Sequence, residues 1–120
     1  MAATMRAVAW LGQTNNVSVI DMPIPSIMNQ TDAIVQITSS AICRSDLHFY
    51  HGYMGAADVP WGLGHEAVGY VEEVGSAVSS LQVGEYVIVP DNAHSGHYGQ
   101  QHPISFGTGS PNYGGLQGMS

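Results

Sequence analysis

The chain has 120 residues, the length of one ordinary domain, and is too short to hold a nucleotide-binding domain together with a substrate domain. Its apolar fraction of 44% is that of a folded protein, yet only 9% of residues are charged, against about 25% in an average domain. Two arginines, no lysine and nine carboxylates give a formal net charge of −7, which excludes nucleic-acid binding, adhesion to an anionic membrane and lysine Schiff-base chemistry.

In chain order, Arg6 to Leu11 reads as a strand, Gln13 to Asn16 as a turn and Val17 to Asp21 as the second strand of a hairpin. Pro23 and Pro25 end that strand. Ala33 to Ile42 is a longer strand, with Val35 and Ile37 on one face and Ile34, Gln36 and Thr38 on the other. Arg44 to Tyr50 suits a short helical turn, and Glu66 to Val74 is a further strand. Val83 to Glu85 then turns the chain into a last strand, Tyr86 to Val89. Strands at this spacing, with little helical periodicity, predict a mainly β fold, a small barrel or a strongly bent sheet, over residues 1–90. Residues 91–120 hold seven of the 15 glycines, three of the six histidines and one charge. They read as a Gly/His-rich loop region packed on the barrel or trailing from it.

The single cysteine, Cys43, excludes an intrachain disulfide and a multi-cysteine zinc module. Met1 to Arg6 carries no apolar leader, and no apolar run approaches the ~20 residues that span a bilayer. A cytoplasmic, reducing setting is the expectation.

Two clusters carry candidate chemistry: Cys43-Arg44-Ser45-Asp46-Leu47-His48 and Gly64-His65-Glu66-Ala67-Val68-Gly69, with Gly75 six positions further on. Thiolate, imidazole and carboxylate are the donor types that zinc accepts. Cys43 follows one strand while His65 and Glu66 open another, so strand ends can bring them to one point. Asp46 is placed to hold a ligand imidazole in its required tautomer. Ser45 and His48 offer a hydroxyl-to-imidazole proton path. Taken alone, Cys43 also reads as a small buried hydrophobe, and a His beside a Glu as structural.

The string Gly64-His65-Glu66, two residues, Gly69, five residues, Gly75 resembles the zinc motif of the medium-chain dehydrogenase/reductase superfamily, the zinc-containing alcohol dehydrogenases. Cys43 to His48 and Val83-Gly84-Glu85-Tyr86-Val87 resemble that family as well, and the similarity runs from about residue 5 to 90. The resemblance implies an N-terminal GroES-like domain, a partly open β-barrel incomplete on its C-terminal side and without a Rossmann domain. It implies zinc ligation by Cys43 and His65, with Glu66 beside the metal as an exchangeable or supporting ligand. Asp46 would orient a ligand, and Ser45 would pass the substrate hydroxyl proton towards His48. Arg44 would meet the pyrophosphate of NAD(P) if a nicotinamide domain were supplied. The implied reaction is hydride transfer between a small alcohol and NAD(P), with zinc as Lewis acid.

Three departures set expectations. The family's third protein ligand to zinc lies downstream of Ser120. Gly62-x-Gly64 and Gly107-x-Gly109 are not dinucleotide fingerprints. The four-cysteine lobe expected after Val89 is replaced by a stretch without cysteine. A chain truncated before the cofactor domain is therefore expected to transfer no hydride alone and to bind no NAD(P) alone. Exposed strand edges predict a homo-oligomer.

Tyr50, His51, Met54 and Trp61 flank the motifs and line a substrate pocket, or else Tyr50 and Trp61 are core aromatics. His94, His97 and His102 have spacings open to a second metal, and a solvated His-rich loop is the favoured reading. Two other functions use the same residues. One is cofactor-free isomerisation, dehydration or cyclisation by His65, His48 or Glu66. The other is a non-catalytic module whose edge binds a full-length relative.

Overall fold

The computed structural model describes residues 3–53, 59–90, 92–94 and 105–107. The alternation of Arg6 and Val8 with Ala7 and Ala9 makes β1 (Thr4–Trp10), whose Ala7 and Ala9 are fully buried. Gly12 and Asn15 take positive φ in the connection, and the Trp10 indole N–H donates to the Gln13 carbonyl at 2.9 Å. The chain returns as β2 (Val17–Pro23), antiparallel to β1 in an unbroken register from Thr4 opposite Pro23 to Trp10 opposite Val17. Pro23 is the last paired residue of an edge strand, where its missing N–H costs little.

β3 (Ala33–Ala41) pairs antiparallel with β5 (Glu66–Val74), and β5 with β6 (Tyr86–Val89). The β3–β5 register shifts twice, leaving Glu72 unopposed on β5 and Thr38 unopposed on β3. The Thr38 hydroxyl donates to the Val68 carbonyl at 3.3 Å and meets the Tyr86 hydroxyl at 3.1 Å, tying the bulge across three strands. Ala67, Gly69 and Val71 on β5 are buried, while Glu66, Tyr70 and Glu72 face outwards.

α1 (Asp46–Tyr50) follows β3, and β4 (Trp61–Gly62) adds a third strand to β1. Phe49 of α1 stacks on Trp61 at 5.1 Å and meets the edge of Trp10 at 6.4 Å, which fastens the helix to the first sheet. The result is two open three-stranded sheets, ordered β2-β1-β4 and β3-β5-β6, with no closed barrel among the described residues.

The sequence reading missed β4, and it read residues 91–120 as loop. In that region β7 (Asn92–His94) and β8 (Ser105–Gly107) pair antiparallel. Met54, His97 and His102 lie outside the described residues. No helix among the described residues is long and apolar enough to cross a membrane.

Candidate active site

Strand register explains why residues 22 positions apart meet. Ala41, the last residue of β3, pairs with Glu66, the first of β5. Cys43, two residues beyond one end, and His65, one residue before the other, therefore leave the sheet side by side. Gly64 has φ +87°, a left-handed conformation that favours glycine, and it turns the chain so that His65 enters β5 from the correct side. Gly69 is required for a different reason. A Cβ there would fall on the Gln36 carbonyl and lie 2.9 Å from the Ile37 Cα. Gly75 is in the same position against the Gln30 backbone. The glycines of the motif are thus requirements of backbone shape and of close strand approach.

Asp46 is the only charged residue among the described buried side chains, with 2% of its surface exposed. Both of its oxygens are engaged. Oδ2 accepts the Cys43 backbone N–H at 2.8 Å, and Oδ1 lies 3.1 Å from His65 Nδ1. A carboxylate at Nδ1 selects the tautomer with the proton there, leaving the Nε2 lone pair as an acceptor. Nε2 lies 3.0 Å from Ser45 Oγ, so in this tautomer the hydroxyl donates to the ring. Ser45, His65 and Asp46 therefore form one connected line that ends on the backbone of Cys43.

The half-buried Cys43 thiol is held below its ordinary pKa, chiefly by the Ser45 hydroxyl, then by a backbone hydrogen bond from Ser45 and by the His65 side chain. Burial and the Glu66 carboxylate oppose this shift. A depressed thiol pKa favours thiolate, the form that binds metal.

Cys43 and His65 fit zinc by donor type, and the tautomer fixed by Asp46 makes Nε2 the lone-pair nitrogen, which here accepts the Ser45 hydroxyl, a hydrogen bond that a bound metal would replace. Glu66 reaches the thiol but is otherwise exposed. Among the described residues, no three His, Cys, Asp or Glu side chains converge as a metal-holding group.

The other predicted site residues are dispersed. His48 packs against Tyr53, with ring centroids 6.3 Å apart, and its side chain has no hydrogen bond to Ser45 that would continue a proton path. Its backbone N–H donates to the Ser45 carbonyl at 3.1 Å, which is ordinary helix-start geometry. Arg44 is exposed at the start of the helical turn. Trp61 belongs to the core stack with Phe49, and Tyr50 and His51 contact each other edge to face at 5.3 Å.

None of Tyr50, His51 and Trp61 lines the cavity beside Cys43 and His65, which has a volume of about 580 Å³. Its walls are Ser39 and Ser40 on one side and Ile88, Val89 and Pro90 on the other. The sequence reading did not single these out. The usable signal was strand pairing, because Ala67 faces Val89 and Ser40 faces Ala67 in neighbouring ladders.

A mainly β scaffold that holds a thiol and an oriented imidazole at adjoining strand ends has the makings of a metal-assisted site. The family model for the alcohol dehydrogenase GroES-like domain matches residues 29–119, and the chain belongs to that family. It is 46% identical over 92 residues to the zinc-type alcohol dehydrogenase-like protein AdhB of Bacillus subtilis, covering 77% of this chain and 24% of that protein. It is 38% identical over 99 residues to the D-xylulose reductase of Scheffersomyces stipitis, covering 73% and 27%.

Among solved structures, alcohol dehydrogenase TADH from Thermus sp. ATN1 superposes with a TM-score of 0.81 at 35% identity, over 96% of this chain and 35% of that one. A zinc-binding dehydrogenase from Sinorhizobium meliloti, solved with NADP, gives 0.72 at 30% identity, over 90% and 33%. The chain spans about a quarter of the length of these curated relatives and about a third of these solved chains. The open sheets are accordingly a partial GroES-like fold.

Proposed function

We propose that this chain supplies the metal-binding and proton-handling part of an alcohol dehydrogenase-like oxidoreductase, with zinc held by Cys43 and His65. The observation that carries this reading is the line from Ser45 through His65 to the buried Asp46, with the Cys43 thiol beside it. Bound zinc would supply Lewis-acid polarisation of an alcohol or carbonyl oxygen. Asp46 fixes the tautomer and the orientation of His65. Ser45, in contact with both donors, is the hydroxyl that takes or returns the proton of a small alcohol in the adjoining cavity. Arg44 is the cation available for the pyrophosphate of a nicotinamide cofactor. The relatives' lengths support a cofactor site and a further zinc ligand outside these 120 residues, so that this chain alone transfers no hydride.

The test is the metal content of the purified chain and of Cys43→Ser, measured by mass spectrometry. About one zinc per chain in the parent, lost in the variant, is the expected result. No zinc in either, or equal zinc in both, would reject the assignment.

A further inference from the structure

Ser45 stands at the N-cap of α1, where a serine hydroxyl ordinarily accepts a backbone N–H of the first turn. Here it makes no such bond. Its Oγ lies instead 3.0 Å from His65 Nε2, while the buried Asp46 carboxylate lies 3.1 Å from Nδ1 of the same ring. Two consecutive residues thus hold the two nitrogens of one imidazole. Hydroxyl, imidazole and carboxylate in that order, each within hydrogen-bond reach of the next, are the parts of a nucleophile, its general base and the group that orients the base. Such a set is recognised by its geometry and not by the order of its members along a chain.

The surroundings leave room for a substrate. Ser45 and His65 are both half-buried, so neither the hydroxyl nor the ring is sealed from solvent. His65 and Cys43 also line the cavity of about 580 Å³, where Ala41, Ile88, Val89 and Pro90 give a largely apolar wall. The net charge of −7 disfavours an anionic ligand.

We propose that, when no metal holds Nε2, Ser45 and His65 carry out acyl transfer from small, uncharged carboxylic esters to water. Ser45 Oγ attacks the carbonyl carbon while its proton passes to His65 Nε2. The bond from that carbon to the leaving oxygen breaks, and the leaving oxygen takes the proton from His65. A free alcohol and acyl-Ser45 result. Water then gives a proton to the same nitrogen and attacks the acyl carbon. The Ser45 oxygen leaves and recovers that proton, and the carboxylic acid departs. Nothing is oxidised or reduced, and ester and water are the only reactants. The Nε2 lone pair serves one partner at a time, so this chemistry and zinc ligation exclude each other.

The test incubates the full chain with p-nitrophenyl acetate in excess chelator and locates the acetyl group by mass spectrometry. Trypsin cuts between Arg44 and Ser45, so labels on Cys43 and on Ser45 fall on different peptides. Acetylation of Ser45 is expected, with a burst of nitrophenolate ahead of slower steady release. In His65→Ala, Ser45 should be acetylated about a hundredfold more slowly, and added imidazole should restore much of the rate. His65→Gln fills the space of the ring and should be equally slow. In Ser45→Ala the burst should vanish, with imidazole or without, while the circular dichroism spectrum stays that of the parent. Acetyl on Cys43 and not on Ser45 would overturn the proposal, because the thiol would then be the nucleophile. So would acetylation of Ser45 at the parent's rate in both His65 variants.

Discussion

Replacing Asp46 tests the central feature of the site without requiring activity or metal. The side chain is buried and makes two hydrogen bonds, to the Cys43 N–H at 2.8 Å and to His65 Nδ1 at 3.1 Å. Asp46→Ala removes both acceptors and leaves two donors facing a small void. A hydrogen bond to a charged acceptor contributes about 1.5–3 kcal/mol, so complete loss of both approaches about 3–6 kcal/mol. His65 is 18% exposed and Cys43 is half-buried, so water partly replaces what is lost. A destabilisation of about 2–4 kcal/mol is expected, a large part of the 5–15 kcal/mol typical of a whole domain.

Urea unfolding followed by circular dichroism reads this change directly. With a slope of about 2 kcal/mol per molar urea, the midpoint should fall by about 1–2 M at unchanged slope. Asp46→Asn keeps the shape and one acceptor for the Cys43 N–H but no longer selects the His65 tautomer. It should cost about 1–2 kcal/mol and shift the His65 nitrogen resonances towards a tautomer mixture. Stability of Asp46→Ala within about 0.5 kcal/mol of the parent, the range of an ordinary surface substitution, would refute the reasoning. Unchanged His65 resonances in Asp46→Asn would refute the tautomer argument separately.

Two other consequences follow from the same geometry. Because Ser45 and His65 lower the Cys43 thiol pKa, iodoacetamide should alkylate Cys43 faster near neutral pH than a free thiol of ordinary pKa, and Ser45→Ala should move the titration upwards. The linkage has one sign: the folded pKa is depressed, so the contribution to stability is present above the unfolded thiol pKa and is lost as pH falls through the folded one. A midpoint of unfolding that rises on acidification through that window in the parent, relative to Cys43→Ser, would contradict it. Gly69→Ala drives a Cβ onto the Gln36 carbonyl and should cost about 3 kcal/mol or more, whereas Gly84→Ala meets nothing within 4 Å and should cost only the left-handed strain of about 1–2 kcal/mol. Equal midpoints for the two variants in thermal unfolding would reject the assignment of Gly69 to close strand approach.

What the sequence disclosed depended on the range over which each element is determined. β1, β2, β3, β5 and β6 carry their own alternation of apolar and polar residues, and each was read to within about two residues of its observed bounds. β4 is two residues long and exists because Trp61 and Gly62 pair with Trp10 and Ala9, a partner half the chain away. No local pattern can reveal such a strand. β7 and β8, three residues each, were hidden in the same way within a glycine-rich stretch.

The site divides along the same line. Cys43, His65, Asp46 and Ser45 were legible because two short contiguous strings hold them. The cavity walls Ile88 and Pro90 were not, because they reach the site through the β5–β6 ladder. His48 shows the limit of reading by adjacency. Ser45 and His48 are one helical turn apart, yet the His48 ring packs against Tyr53, while Ser45 turns to His65.

The arrangement also fixes the Cys43 and His65 side chains relative to each other. His65 is held by a carboxylate that is itself anchored to the Cys43 backbone, so the two donors are fastened to each other through Asp46. Asp46 begins a helix whose Phe49 is held between Trp10 and Trp61 of the first sheet, while Ala41 and Glu66 belong to the second. The site therefore sits where the two sheets are coupled, and its rigidity derives from both. Ligands already fixed lose little conformational entropy on binding, and that saving is retained as affinity. The hydrogen bonds that join Ser45, His65, Asp46 and the Cys43 backbone form without any bound group.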